Sequence, residues 1–141
     1  MKKSGTVALT DKLEDKLFDS YALLFLEIDE KVVGIKALKR PLLSYRRKVF
    51  NLAGVPDQTR LTRIELGWTY IEEKFRNCGY NSQMTKALQA SRYWKRSFAT
   101  TLTSNVKVKT SLRNVGFKQV GKTWPSTLVG GDELCLFISD H

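Results

Sequence analysis

Histidine is almost missing from this sequence of 141 residues: the only one is His141. Cysteine is nearly as scarce. Cys78 and Cys135 stand far apart and form no CxxC pair. These scarcities exclude zinc ribbons, zinc fingers and histidine-based metal centres, so no metal is expected. They also leave Ser-His-Asp and Cys-His mechanisms with nothing but the last residue to serve as base. Chemistry in this chain must run on carboxylates, tyrosines, lysines, backbone dipoles or a bound cofactor. No apolar run reaches the ~18 residues of a membrane-spanning helix. Met1-Lys2-Lys3-Ser4-Gly5 leads into a polar stretch rather than a signal-peptide apolar core, so a cytoplasmic protein is expected. With 3 prolines, 9 glycines, no repeat and no low-complexity tract, no linker divides the chain. The expectation is one domain over residues 1–141. A domain of this length buries roughly 70% of its unfolded surface and needs no disulfide to hold a core.

Acidic residues are outnumbered: Lys plus Arg is 24, Asp plus Glu is 14, and the net charge is +10. The excess is concentrated. Residues 31–64 carry nine positive side chains against Asp57 alone, whereas residues 1–30 are net negative. A basic surface favours anionic partners, either a phosphorylated cofactor, nucleic acid or an acidic protein.

The apolar pattern places the elements. Leu13, Leu17 and Phe18 fall on one face of a helix that Thr10 can cap. Ala22–Ile28 and Val32–Leu38 are two strands joined by a tight turn at Asp29-Glu30-Lys31, a hairpin that Pro41 ends. Leu43–Phe50 is helical and closes near Gly54-Val55-Pro56. Leu61–Ile71, rich in β-branched and aromatic residues, is a central strand. A helix follows Gly79-Tyr80, with Met84, Ala87, Leu88 and Ser91 on one face. Phe98–Thr103 is the next strand. Ser104 or Asn105 caps a further helix whose apolar face is Val108, Leu112 and Val115, and Gly116 stops it. Lys118–Lys122 and Asp132–Ile138 are the last strands, around a Trp124-Pro125…Gly130-Gly131 loop. The strand–helix–strand unit requires a parallel pair by right-handed crossover, while the other strands pair antiparallel. The fold class is therefore mixed α/β, a mostly antiparallel sheet flanked by helices.

One stretch carries chemistry. Arg76-Asn77-Cys78-Gly79-Tyr80-Asn81 lies between a strand and a helix N-terminus. Successive backbone N–H groups and the helix dipole make an anion site there, and Gly79 lets the backbone approach a phosphate closely. Neither GxxxxGK[ST] nor GxGxxG occurs, which disfavours P-loop and Rossmann nucleotide sites.

The same stretch resembles the GNAT (Gcn5-related N-acetyltransferase) superfamily. That family carries Gln/Arg-x-x-Gly-x-Gly/Ala after its fourth strand, and Arg76-x-x-Gly79-x-Asn81 stands here after Glu65-Leu66-Gly67-Trp68-Thr69-Tyr70-Ile71. A second signature, Asn followed eleven residues on by Gly-Phe, is Asn105…Gly116-Phe117. The resemblance covers roughly residues 22–138. It implies a GNAT-like fold with a splayed parallel pair of central strands and an abbreviated N-terminal region. The family's first strand and paired substrate-side helices would be either abbreviated or supplied by a partner chain, as in a homodimer.

The resemblance implies acetyl transfer from acetyl-CoA to a primary amine by direct attack in a ternary complex. Backbone groups of Thr69 and Ile71 would pair with the pantetheine arm. Backbone N–H groups from Asn77, Cys78, Gly79, Tyr80 and Asn81 would hold the pyrophosphate, with Arg76 adding charge. Asn105 would contact the amide arm. Glu65 matches the strand-four glutamate that serves as general base in histone-type members. Two positions depart from the family. Asn81 replaces Gly or Ala, so its side chain must point off the cofactor or hydrogen-bond to it. Leu112 stands where a tyrosine often serves as general acid.

Two other functions fit the residues. A coenzyme-binding protein without turnover would follow from Asn81 and Leu112. A basic nucleic-acid- or ribosome-associated module would use residues 31–64, where Tyr45 and Phe50 interleave with Arg46, Arg47 and Lys48. No RNA-binding motif accompanies them, so the expectation is weak, non-specific contact through side chains that include Lys36, Lys39 and Arg40.

Overall fold

The computed structural model describes residues 3–5 and 20–139. The helix expected over Thr10–Phe18 lies outside the described residues. Seven strands form one sheet: β1 (Lys3–Gly5), β2 (Ser20–Ile28), β3 (Lys31–Lys39), β4 (Ile64–Ile71), β5 (Ser97–Leu102), β6 (Phe117–Pro125) and β7 (Glu133–Ser139). Their spatial order is β1-β2-β3-β4-β5-β7-β6. Three helices complete the described residues: α1 (Leu43–Leu52), α2 (Tyr80–Gln89) and α3 (Val106–Asn114).

The hairpin forms where its sequence predicts, but Lys31, expected in the turn, is the first residue of β3. Ile28 pairs with Lys31 across a two-residue loop, with Asp29 and Glu30 at φ 54° and 65°. Two left-handed residues give a turn whose twist matches that of the strands. The central strand starts three residues later than its composition suggests, because Gln58 to Thr62 coil into turns that precede it. The final loop is also shorter than expected, since Trp124 and Pro125 continue β6 and pair with Leu134 and Glu133.

Every neighbouring pair is antiparallel except β4 and β5. These two are parallel and in register only at Ile64↔Ser97 and Glu65↔Phe98. Beyond Glu65 they diverge, and the backbone of β4 from Leu66 onward has no strand on that side. A bulge re-aims the same stretch. Ile35 pairs with Tyr70 but Ala37 with Gly67, so Trp68 and Thr69 together stand opposite Lys36. The extra residue reverses the alternation, placing Thr69 on the sheet face that Leu66 occupies before it.

That face is covered by α2 and α3. Leu38, Leu66, Leu88, Ala99, Leu112, Phe117 and Phe137 form its core. On α2 the buried residues are Met84, Thr85 and Leu88, whereas Ala87 is exposed and Ser91 lies past the helix end. The expected face is thus rotated by part of a turn. Thr85 can be inside because its hydroxyl donates to the Asn81 carbonyl at 2.9 Å. The opposite face is covered by α1, through Val49 and Phe50 against Phe98, Trp124 and Leu136. Helix α1 comes so near β6 that a Cβ on Gly121 (φ +70°) would stand 2.1 Å from the Ala53 carbonyl oxygen, so only glycine fits there.

Candidate active site

The divergence of β4 from β5 opens a cleft of about 870 Å³, walled by β4, the N-terminus of α2 and the outer side of α3. Of the ten residues expected at the site, eight line it: Thr69, Ile71, Arg76, Asn77, Gly79, Tyr80, Asn81 and Asn105. Cys78 and Glu65 do not. Cys78 is exposed, with its thiol donating to the Arg76 carbonyl at 3.4 Å.

The edge of β4 presents backbone groups to the cleft. The Glu72 N–H donates to the Val33 carbonyl, so the alternate residues Ile71 and Thr69 turn theirs away from β3. The Ile71 carbonyl already accepts from Arg76 Nε at 2.6 Å, and the Arg76 guanidinium lies 5.6 Å from the Tyr70 ring centre. Arg76 is thereby fixed as the corner of the cleft.

The turn that follows is built for an anion. Asn77 and Gly79 are both left-handed, at φ 61° and 82°. Alternating backbone handedness converges successive N–H groups on one point, and the α2 dipole adds positive potential. A Cβ placed on Gly79 would meet nothing within 4 Å, since it would project into open space. From the other wall, Lys107 Nζ donates to Asn77 Oδ1 at 3.0 Å, which brings a cation to the turn. Asn105 caps α3 by accepting from the Val108 N–H at 3.2 Å.

Lys36 explains the Asn81 departure. This lysine is 5% exposed, and its Nζ donates to Thr69 Oγ1 at 2.6 Å and Asn81 Oδ1 at 2.9 Å. The asparagine oxygen therefore turns inward and ties the first turn of α2 to the β4 bulge. Burial also removes Lys36 from the basic surface on which nucleic-acid contact was expected. It lowers the Lys36 ammonium to about 8, because the charged form loses hydration. The sign for stability follows. Between about 8 and the ordinary 10.5 the unfolded chain holds the proton more tightly, so folding becomes more favourable as pH rises through that window. Denaturant unfolding of wild type and Lys36→Met should show wild type gaining on the variant from pH 8 to 10. Equal pH slopes would mean that Lys36 is well hydrated.

Glu65 sits at the apex of the divergence, on the α1 face of the sheet, and is 6% exposed. Its Oε2 accepts from the Tyr45 hydroxyl at 2.9 Å, and its Oε1 lies 3.4 Å from Lys39 Nζ. Oε1 is buried and accepts no hydrogen bond. Burial first, and then the negative charge of Glu65, push the Tyr45 phenol up, so Tyr45 stays a donor. Leu112, at the position of the family's tyrosine, is 4% exposed and belongs to the core.

Three residues of this region were not expected in these places: Lys36, Lys107 and Tyr45. A lysine inside the apolar run Val32–Leu38 was a readable signal, because Lys36 stands at an inward position of a strand. Lys107 and Tyr45 had none, since their roles depend on how α3 and α1 dock.

No family model matches the sequence, and no curated protein sequence matches it either. Solved structures do. The ribosomal-protein-S18-alanine N-acetyltransferase from Escherichia coli superposes with a TM-score of 0.64 at 13% identity, covering 99% of this chain and 93% of that one. A GNAT family acetyltransferase from Elizabethkingia anophelis, solved with acetyl-CoA bound, gives 0.60 at 14%, covering 100% and 97%. The ribosomal-protein-alanine N-acetyltransferase from Brucella melitensis gives 0.64 at 20%, covering 91% and 74%. The chain has the GNAT fold.

Proposed function

We propose that the protein transfers an acetyl group from acetyl-CoA to a primary amine. The observation that carries this reading is the cleft itself: an unpaired β4 edge leads from the left-handed turn at Asn77–Gly79 to a buried carboxylate at the apex. When bound, acetyl-CoA supplies a thioester carbon open to attack by an amine. The residues supply the rest. Amide N–H groups from Asn77 to Asn81, with Lys107 and Arg76, hold the pyrophosphate. The free edge of β4 at Thr69 and Ile71 aligns the pantetheine arm as an added strand would. Glu65 then takes a proton from the amine through Oε1, the oxygen with no hydrogen bond, while Tyr45 holds Oε2.

The test is thiol release from acetyl-CoA against a panel of amines. The expected result is release that depends on the amine. Binding of acetyl-CoA with no release for any amine would overturn the reading in favour of a coenzyme-binding protein without turnover.

A further inference from the structure

A second groove, of about 710 Å³, lies on the α1 face and is lined by Arg46, Arg47, Arg60 and Arg63, with Asp57 as its one carboxylate. No side chain among the described residues makes a salt bridge to any of the four arginines. Two of the four, Arg46 and Arg63, are nonetheless held in place. Arg46 Nη1 donates to the Thr59 and Thr62 carbonyls, and Arg63 Nε donates to the Arg60 carbonyl at 3.0 Å. Their charges act on one another: burial first, and then the positive charges of Arg63 and Arg47, lower the Arg46 guanidinium from its usual value. The first turn of α1, which contributes to the groove, contains no acidic residue and no side-chain cap. Its dipole therefore adds to the positive potential instead of being offset. Four guanidiniums with one carboxylate among them, two of the four fixed by backbone carbonyls, match a dianionic oxyanion, which planar N–H forks bind bidentately.

The groove is placed beside the candidate base. Arg63 immediately precedes β4, two residues before Glu65. Arg46 follows Tyr45, whose hydroxyl holds Glu65. We propose that this groove binds the phosphate group of the acetyl acceptor, so that the acceptor is a phosphorylated amine whose amino group reaches Glu65 while its phosphate lies among Arg46, Arg47, Arg60 and Arg63. The assignment to the acceptor rests on the acetyl-transfer reading. The affinity for phosphate does not.

Two arms separate them. In the first, O-phosphoserine and serine are titrated into the protein with CoA present, which covers the cleft's own anion site. Wild type should bind the phosphorylated form at least tenfold more tightly. The Arg47→Gln/Arg60→Gln variant, changed at two exposed positions, should lose that preference and keep its melting midpoint. In the second, acetyl transfer to O-phosphoethanolamine is compared with transfer to ethanolamine. The variant should raise KM at least tenfold for the phosphorylated amine alone, with kcat little changed. No phosphate preference in wild type, or a preference that survives in the variant, overturns the groove. Phosphate binding without transfer to any amine upholds the groove and counts against the acetyl-transfer reading. Single-stranded RNA bound at 150 mM salt more tightly than O-phosphoserine, and lost in the variant, overturns the acceptor assignment.

Discussion

Gly79→Val is expected to abolish the stabilisation that acetyl-CoA gives the protein while leaving the fold intact. Saturating cofactor, at 100 times its dissociation constant, stabilises the wild type by ~2.7 kcal/mol through mass action. In the variant the side chain removes that gain, and the backbone adds a separate cost. A β-branched residue at φ +82° is strained, and its side chain projects into the space before the amide turn, where no atom lies within 4 Å of the new Cβ. Because nothing of the protein is struck, the unliganded variant should lose only the cost of the left-handed backbone, about 1–2 kcal/mol. Gly79→Ala separates the two effects, since it carries the strain with much less of the obstruction. Differential scanning fluorimetry with and without acetyl-CoA reads both. A thermal shift in Gly79→Val equal to that of the wild type would remove the pyrophosphate from this turn.

The difference between what could and could not be read in the sequence lies in how local each signal is. The hairpin, the cap at Asn105 and the stop at Gly116 are set by residues within a few positions of one another, and each formed where it was expected. The Arg76–Asn81 turn is local in the same way, which is why that wall of the cleft could be named. The bulge at Trp68–Thr69 is not local. It depends on a mismatch with β3, and it decides that Thr69 meets Lys36 on the cleft side. The α2 face was misread for a simpler reason: Ala87 and Thr85 both satisfy helical spacing, and alanine gives a weak signal of burial. Residues 42–60 were the least legible. They join β3 and β4, antiparallel neighbours that a short turn could connect, and no periodicity tells that the helix between them carries Tyr45 to Glu65 and Arg46 to the second groove.

Glu65→Gln is expected to lower turnover by roughly 10²–10⁴-fold, the range for loss of a general base, with acetyl-CoA affinity little changed. The alternative role is structural, because the carboxylate also holds Tyr45 and lies 3.4 Å from Lys39. The two roles leave different marks. Glutamine has nearly the same shape and can still accept from the Tyr45 hydroxyl, so that link is retained. What it loses is the charge opposite Lys39 and the lone pairs on Oε1, the buried oxygen that accepts no hydrogen bond in the protein. A structural role would therefore appear as a lower melting temperature with normal turnover per folded molecule. A catalytic role would appear as a collapse of kcat with the KM for acetyl-CoA preserved. Lys39→Met serves as the control, since it removes the ion pair and keeps the base: it should reproduce the structural effect and spare most of the rate. A Glu65→Gln rate within threefold of wild type would assign the proton to water or another group and leave Glu65 as the buried partner of Lys39 and Tyr45.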